Sequence, residues 1–188
     1  MRAAALACRS YYSLLRGPVS VQRLVQRAKE YGYGAIALAD VNSMYGAADF
    51  YREAEKADIK PILGVEILTD TQRAVLLTEN RTGYENLCRI TTARNLDAGF
   101  CLIDQLKTHH NGLICISSQE NLLKALQNIF AKDYLFAASK TTPQAERAIA
   151  NKIEPIACED FNYLDDGDIA TAEVVGHFDG CHASVDSV

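Results

Sequence analysis

"AIALADVNSMYGAADFYREAEKADIKPILGVEIL", residues 35–68, holds two apolar runs separated by a stretch with helical spacing. The first run, 35–39, is a candidate buried strand that stops at Asp40. Ala47, Ala48, Tyr51 and Ala54 then recur at helical intervals and form an expected stripe. The second run, 59–68, carries Pro61 near its start, where a missing N–H does least harm to a strand ladder. Strand, helix, strand is the unit from which parallel sheets are built. An acid at the end of a buried strand, facing a turn, lies where such sheets keep their ligand sites.

The same alternation continues on both sides. Residues 3–7, "AAALA", read as a first strand, and Ser20 is placed to cap a helix with Val21, Leu24, Val25 and Ala28 on one face, ended by Gly32. After the opening unit come a strand at 73–79 and a helix at 81–95, "RTGYENLCRITTARN", with Gly83 expected in a local turn. A strand at 112–117, "GLICIS", leads into a helix at 119–130 with Leu122, Leu123, Leu126 and Ile129 inward. Residues 133–138 read as a strand, and Thr142 and Pro143 as the cap and first position of a helix running to about Asn151. "EPIACED", 154–160, is the last strand. Such regularity predicts an α/β fold with a mostly parallel sheet, open or closed into a barrel. The periodicity fades after residue 176, so 1–176 is expected to be the domain and 177–188 an irregular tail at a truncation point.

The 188-residue length fits one domain, long enough for a real core but short of the roughly 250 residues of a full (β/α) barrel. Nineteen Lys and Arg against 24 Asp and Glu give a net charge of −5, which argues against a strong DNA grip by this domain. Cys8, Cys88, Cys101, Cys115, Cys158 and Cys181 contain no C-x-x-C pair and are expected to be reduced thiols. The N-terminal apolar run is too brief for a secretory h-region, which spans about 7–15 residues. No stretch is long enough to cross a membrane, so a cytoplasmic location is expected.

Collecting the expected strand ends gives Arg9 and Ser10, Asp40, Glu66 within its strand, Ser117 and Ser118, and then Glu159, Asp160 and Asn162. Several carboxylates would share one rim. His109 and His110 in "KTHHNG", and His177 and His182 in the tail, are expected to be solvated side chains rather than metal ligands.

At these residues the chain resembles a known family. "YYSLLRG", "VQRLVQRAKEYGYGAIALADVNSMYGAADFYREAEKADIKPILGVEI", "AVLLTENRTGYENLCRI" and "NGLICIS" are similar, in order, to the PHP (polymerase and histidinol phosphatase) domain at the N-terminus of the bacterial DNA polymerase III alpha subunit. The resemblance runs from about residue 6 to about residue 175. It implies a distorted (β/α)-barrel of about seven strands, here shortened, with a metal site built mainly from histidines that holds Zn, Mn or Mg when intact.

Where the resemblance expects His-x-His, this sequence has Ala7 and Arg9 around Cys8. Thr-Asp-His-Gly-Asn becomes Ala39-Asp40-Val41-Asn42-Ser43, and Gly-x-Glu survives as Gly64-Val65-Glu66. Asn-Asp-x-His-Tyr becomes Glu159-Asp160-Phe161-Asn162-Tyr163. The acids stay while every aligned imidazole is gone. Imidazole suits the borderline metals such a cluster binds, and carboxylates alone hold Mg²⁺ loosely through water. The expectation is a remnant cleft of Arg9, Asp40, Glu66, Glu159, Asp160 and Asn162, with no resident cofactor and no catalytic residue. Asp40, Glu66 and Asp160 should converge there, with Arg9 supplying the positive charge.

What the resemblance implies for function is a noncatalytic scaffold and docking platform within a replicative or error-prone DNA polymerase. Its partners would be the polymerase core of the same parent chain and a proofreading exonuclease subunit. The alternative is a working metal-dependent phosphoesterase or 3′→5′ exonuclease, and the histidine set discriminates between the two.

Overall fold

Among the described residues, seven strands form one sheet in which every neighbour in sequence is also a neighbour in space. The computed structural model describes residues 4–14, 16 and 18–157. Within them the order is β1 (Ala4–Cys8), α1 (Val21–Glu30), β2 (Ala35–Val41), α2 (Ala47–Ala57), β3 (Lys60–Leu68), β4 (Arg73–Thr78), α3 (Arg81–Leu96), α4 (Leu102–His109), β5 (Leu113–Ser117), α5 (Glu120–Leu126), β6 (Leu135–Ser139), α6 (Thr142–Ala150) and β7 (Glu154–Ala157). β1, β2 and β3 pair in parallel, as do β5, β6 and β7. Only β4 runs the other way, antiparallel to both of its neighbours. The short "TDTQ" link, residues 69–72, forces that reversal, because a parallel connection needs a dozen residues or more.

The sheet is curled. Ala7, Ala37, Ala39, Val75, Leu77 and Ile116 form one buried cluster, against which Leu6, Ile62, Ile114, Phe136, Ala138 and Ile156 pack. Those residues come from all seven strands, so the inner face wraps around a common axis as a half-barrel. Outside it lie two helix-facing clusters. One joins β1 and β2 to α1 and α2 through Leu24, Val25, Ile36, Leu38 and Phe50. The other joins β3 to β6 with α3, α4, α5 and α6 through residues including Val65, Ile67, Leu87, Leu106 and Leu126.

α1 is capped by Ser20, whose hydroxyl accepts from the Arg23 amide, and it buries Val21, Leu24, Val25 and Ala28. α2 differs from the expected stripe. Its buried side chains are Phe50 and Ala54, while Ala48 is exposed and Tyr51 is 46% exposed. Phe50, Ala54 and Ala57 follow the helical i, i+4, i+7 spacing, and the bulkier Phe50 takes the inner face that the small alanines left open.

Other boundaries also move. Thr141, not Thr142, caps α6 and forms a capping box with Gln144, so Pro143 sits in the first turn. The expected helix at 119–130 is helical only over Glu120–Leu126, with Phe130 folded back on Leu126. A single 3-10 turn at Lys132–Tyr134 delays β6 to Leu135. α4 had no counterpart in the sequence reading. Gly83 lies inside the first turn of α3, where a Cβ would come within 1.8 Å of the Gly112 carbonyl oxygen. It is glycine because two backbones meet there.

Among the described residues no cysteine forms a disulfide: Cys8 and Cys115 are buried and Cys88 and Cys101 half-buried, while Cys158 and Cys181 lie outside the described residues. Among the described residues, no helix is long and apolar enough to cross a membrane. The expected domain end at 176 and the tail at 177–188 lie outside the described residues.

Candidate functional site

Side chains alternate along a strand, and the paired residues of neighbouring parallel strands share a face. Ala39 pairs with Gly64, Asp40 with Val65, and Val41 with Glu66. Val65 belongs to the helix-facing core, so Asp40 faces that side. Glu66 faces the barrel interior with Ala39's side of the ladder. The two acids therefore lie on opposite faces of the β2–β3 ladder. The expectation that they converge in one cleft fails, because one residue of register reverses the side a chain presents.

β1 supplies both with partners by means of a bulge. Its pairing jumps from Ala5 opposite Ile36 to Cys8 opposite Leu38, three residues against two. The extra residue inverts the phase of the strand's end. Ala7 joins the inner cluster and Cys8 the outer one. Arg9 then follows Ala7 inward and Ser10 follows Cys8 outward. Two consecutive residues thus reach two acids on opposite faces.

On the inner side, Arg9 donates from Nε to Glu66 Oε2 at 2.5 Å, and its Nη2 lies 2.5 Å from the same oxygen. The other carboxylate oxygen, Oε1, accepts from Arg73 Nε on β4. Glu66 is 1% exposed and Arg9 7%. Arg73, with 40% of its side chain exposed, stands at the rim. It reaches Glu66 diagonally across the hairpin, since Glu66 pairs with Val75 two positions away.

On the outer side, no guanidinium among the described residues bonds to Asp40. Its Oδ1 accepts from the Ser10 amide and the Ser13 hydroxyl, both at 2.6 Å, and its Oδ2 from the Ser10 hydroxyl at 2.8 Å. Ser13 Oγ in turn accepts from the Val41 amide at 3.0 Å. Asp40 thus pins the loop after β1 onto the end of β2. Burial pushes its carboxyl above the usual range, and the hydrogen bonds from Ser13 and Ser10, with the more distant charge of Arg9, pull it part of the way back. The cause of the rise is desolvation, not repulsion from Glu66.

Asn42, in the position where the resemblance expects glycine, takes a left-handed φ of 50°. Its side-chain amide donates to the Leu68 carbonyl and accepts from the Leu68 amide, both at 2.9 Å, which closes the β2–β3 end. Ser117 donates to the Arg73 carbonyl and so ties β5 to β4. His109 and His110 are half-buried in and just after the last turn of α4, and the His110 ring packs edge-on against Phe130. Glu159, Asp160, Asn162, His177 and His182 lie outside the described residues. Arg73, Ser13 and Asn42 were missed by the sequence reading. Arg73 was the findable one, seven residues from Glu66 across a short turn.

The described residues at these strand ends do not suit a metal cluster. Ala7 and Val41 carry no donor atom, and both oxygens of Glu66 already accept from cations. Among the described residues, no group of three or more His, Cys, Asp or Glu could hold a metal ion. Nor, among them, does any buried side-chain nitrogen or oxygen lack a hydrogen-bond partner. Among the described residues, Glu66 sits between two permanent cations, Arg9 and Arg73.

The family model for the PHP domain matches residues 6–165. The chain is 32% identical to the DNA polymerase III subunit alpha of Chlamydia pneumoniae, over 77% of this chain and 14% of that one. It is 38% identical to the error-prone DNA polymerase of Anaeromyxobacter sp. (strain K), over 53% of this chain and 9% of that one. The chain therefore spans only a small part of the curated relatives it matches. Among solved structures, an amidohydrolase from Chromobacterium violaceum, with bound sulfate and no metal, shares the fold with a TM-score of 0.60 at 12% identity. That likeness covers 88% of this chain and 89% of the other. The chain belongs to the PHP domain family.

Proposed function

We propose that this PHP domain is metal-free and noncatalytic, and that it serves as scaffold and docking platform within a DNA polymerase III alpha-like chain in DNA replication. One observation carries the reading. At the inner strand ends where hydrolytic chemistry would need imidazole donors there stand Ala7, Arg9 and Val41, and Arg9 occupies the remaining acid. A multinuclear site lowers the pKa of bound water through several donors held around open positions. Guanidinium groups ligate no metal, and two of them on Glu66 compete with any cation for its oxygens.

The natural partner of such a scaffold is the polymerase core of the same parent chain, since the curated relatives are much longer polymerase chains. A proofreading exonuclease subunit is the second partner this role implies, and the place of work is the cytoplasm. The test is an assay of the purified chain against phosphomonoesters and single-stranded DNA ends, with and without Mn²⁺. No turnover above background is expected. Turnover that disappears in Glu66→Ala and on chelation would overturn the reading in favour of a metal-dependent phosphoesterase.

A further inference from the structure

The geometry points to the Arg9–Glu66–Arg73 triad as an internal cation site in which a guanidinium takes over the cross-linking duty of a metal at the barrel mouth; this rests on the metal-free reading above. A metal at strand ends does two separable things: it activates a reactant, and it ties together segments far apart in the chain. The triad can do only the second. Arg9 bonds to Glu66 across 57 residues of sequence, joining the end of β1 to β3. Arg73 bonds to the other oxygen of the same carboxylate and brings in β4. Three strand ends therefore meet on one group that is 1% exposed.

The chemistry of the stand-in is specific. A guanidinium is planar, weakly hydrated and charged at every pH the protein meets, and its fork of N–H groups matches carboxylate lone pairs. Lysine would supply the charge without the fork. The β1 bulge is what turns Arg9 inward, so backbone irregularity and side-chain choice serve the same contact. The ligand class that fits Glu66 once Arg9 is shortened is accordingly a small planar cation, guanidinium itself. Removing Arg9 takes away the donor on the buried Oε2 while Arg73 stays on Oε1, and such an ion would restore the lost contact.

Thermal melting of the whole chain tests this with Arg9→Ala, Arg9→Lys and Arg9→Gln. Arg9→Ala is expected to lower Tm by about 5 °C or more. Guanidinium chloride, far below denaturing concentrations, should restore part of that loss where the same concentration of NaCl does not, and wild type should gain nothing from it. If Arg9→Ala does not fold, the other two variants decide. Arg9→Lys, which keeps the charge, should melt above Arg9→Gln, whereas a side chain that merely packs would give the two equal losses. A metal-free wild type whose Arg9→Lys and Arg9→Gln melts coincide, or an Arg9→Ala loss that NaCl restores equally, overturns the triad alone. A wild type that holds stoichiometric metal and melts earlier in chelator overturns the metal-free reading, and the stand-in with it.

Discussion

Asp40 and Glu66 are equally buried, at 1% exposure, and sit on neighbouring strands, yet the fold treats them in opposite ways. Asp40 faces the helices and is held by an amide and two hydroxyls. Glu66 faces the barrel axis and is held by guanidinium groups from β1 and β4. Neutral donors tolerate either protonation state of their acid, because hydroxyls can turn. Permanent cations tolerate only the carboxylate. One acid is therefore a loop latch, and the other is half of an ionic cross-link that requires its charge.

The largest expected effect follows from breaking the cross-link. Glu66→Ala removes the buried acid that Arg9 and Arg73 share and should cost about 3–5 kcal/mol in urea denaturation. Asp40→Ala removes the acceptor for three donors at once but strands no charge. Its cost should be about 1–3 kcal/mol. If the two losses came out in the reverse order, the distinction between latch and cross-link would fail.

Arg73→Ala should cost no more than about 1 kcal/mol, because its side chain is 40% exposed and water screens the pair. A loss as large as that of Glu66→Ala would mean that Arg73, not Arg9, carries the cross-link.

Asp40→Asn should change stability by less than about 1 kcal/mol at neutral pH, since the amide oxygen still accepts. The pH profile sharpens the contrast. Asp40's folded carboxyl titrates above its unfolded value of about 3.9, so the folded state binds the extra proton. Its contribution is therefore greatest in acid and is lost as pH rises from that value through the raised folded one. Asp40→Asn should remove this downward slope. An unchanged profile would show that Asp40 does not titrate in that window.

The strand–helix alternation, the capped α1 and the βαβ unit at 35–68 were legible because burial repeats at regular periods. The inner side of α2 was not, because a row of alanines and one tyrosine mimicked a stripe one position away from Phe50. The candidate site was legible as a set of residues but not as a geometry. Arg9 and Glu66 could be named, but the β1 bulge that turns Arg9 inward has no signature in "AALACRS". The same absence hid the separation of Asp40 from Glu66, since strand phase is a property of pairing and not of composition. Arg73 went unseen because the link at 69–72 was not read as an antiparallel reversal.

Elemental analysis of the purified wild-type chain tests the central claim most directly. With Ala7, Arg9 and Val41 at the inner strand ends and Glu66 engaged by guanidinium groups, the account predicts well under one equivalent of Zn, Mn or Fe per chain. Two or more tightly held metal ions per chain would contradict it.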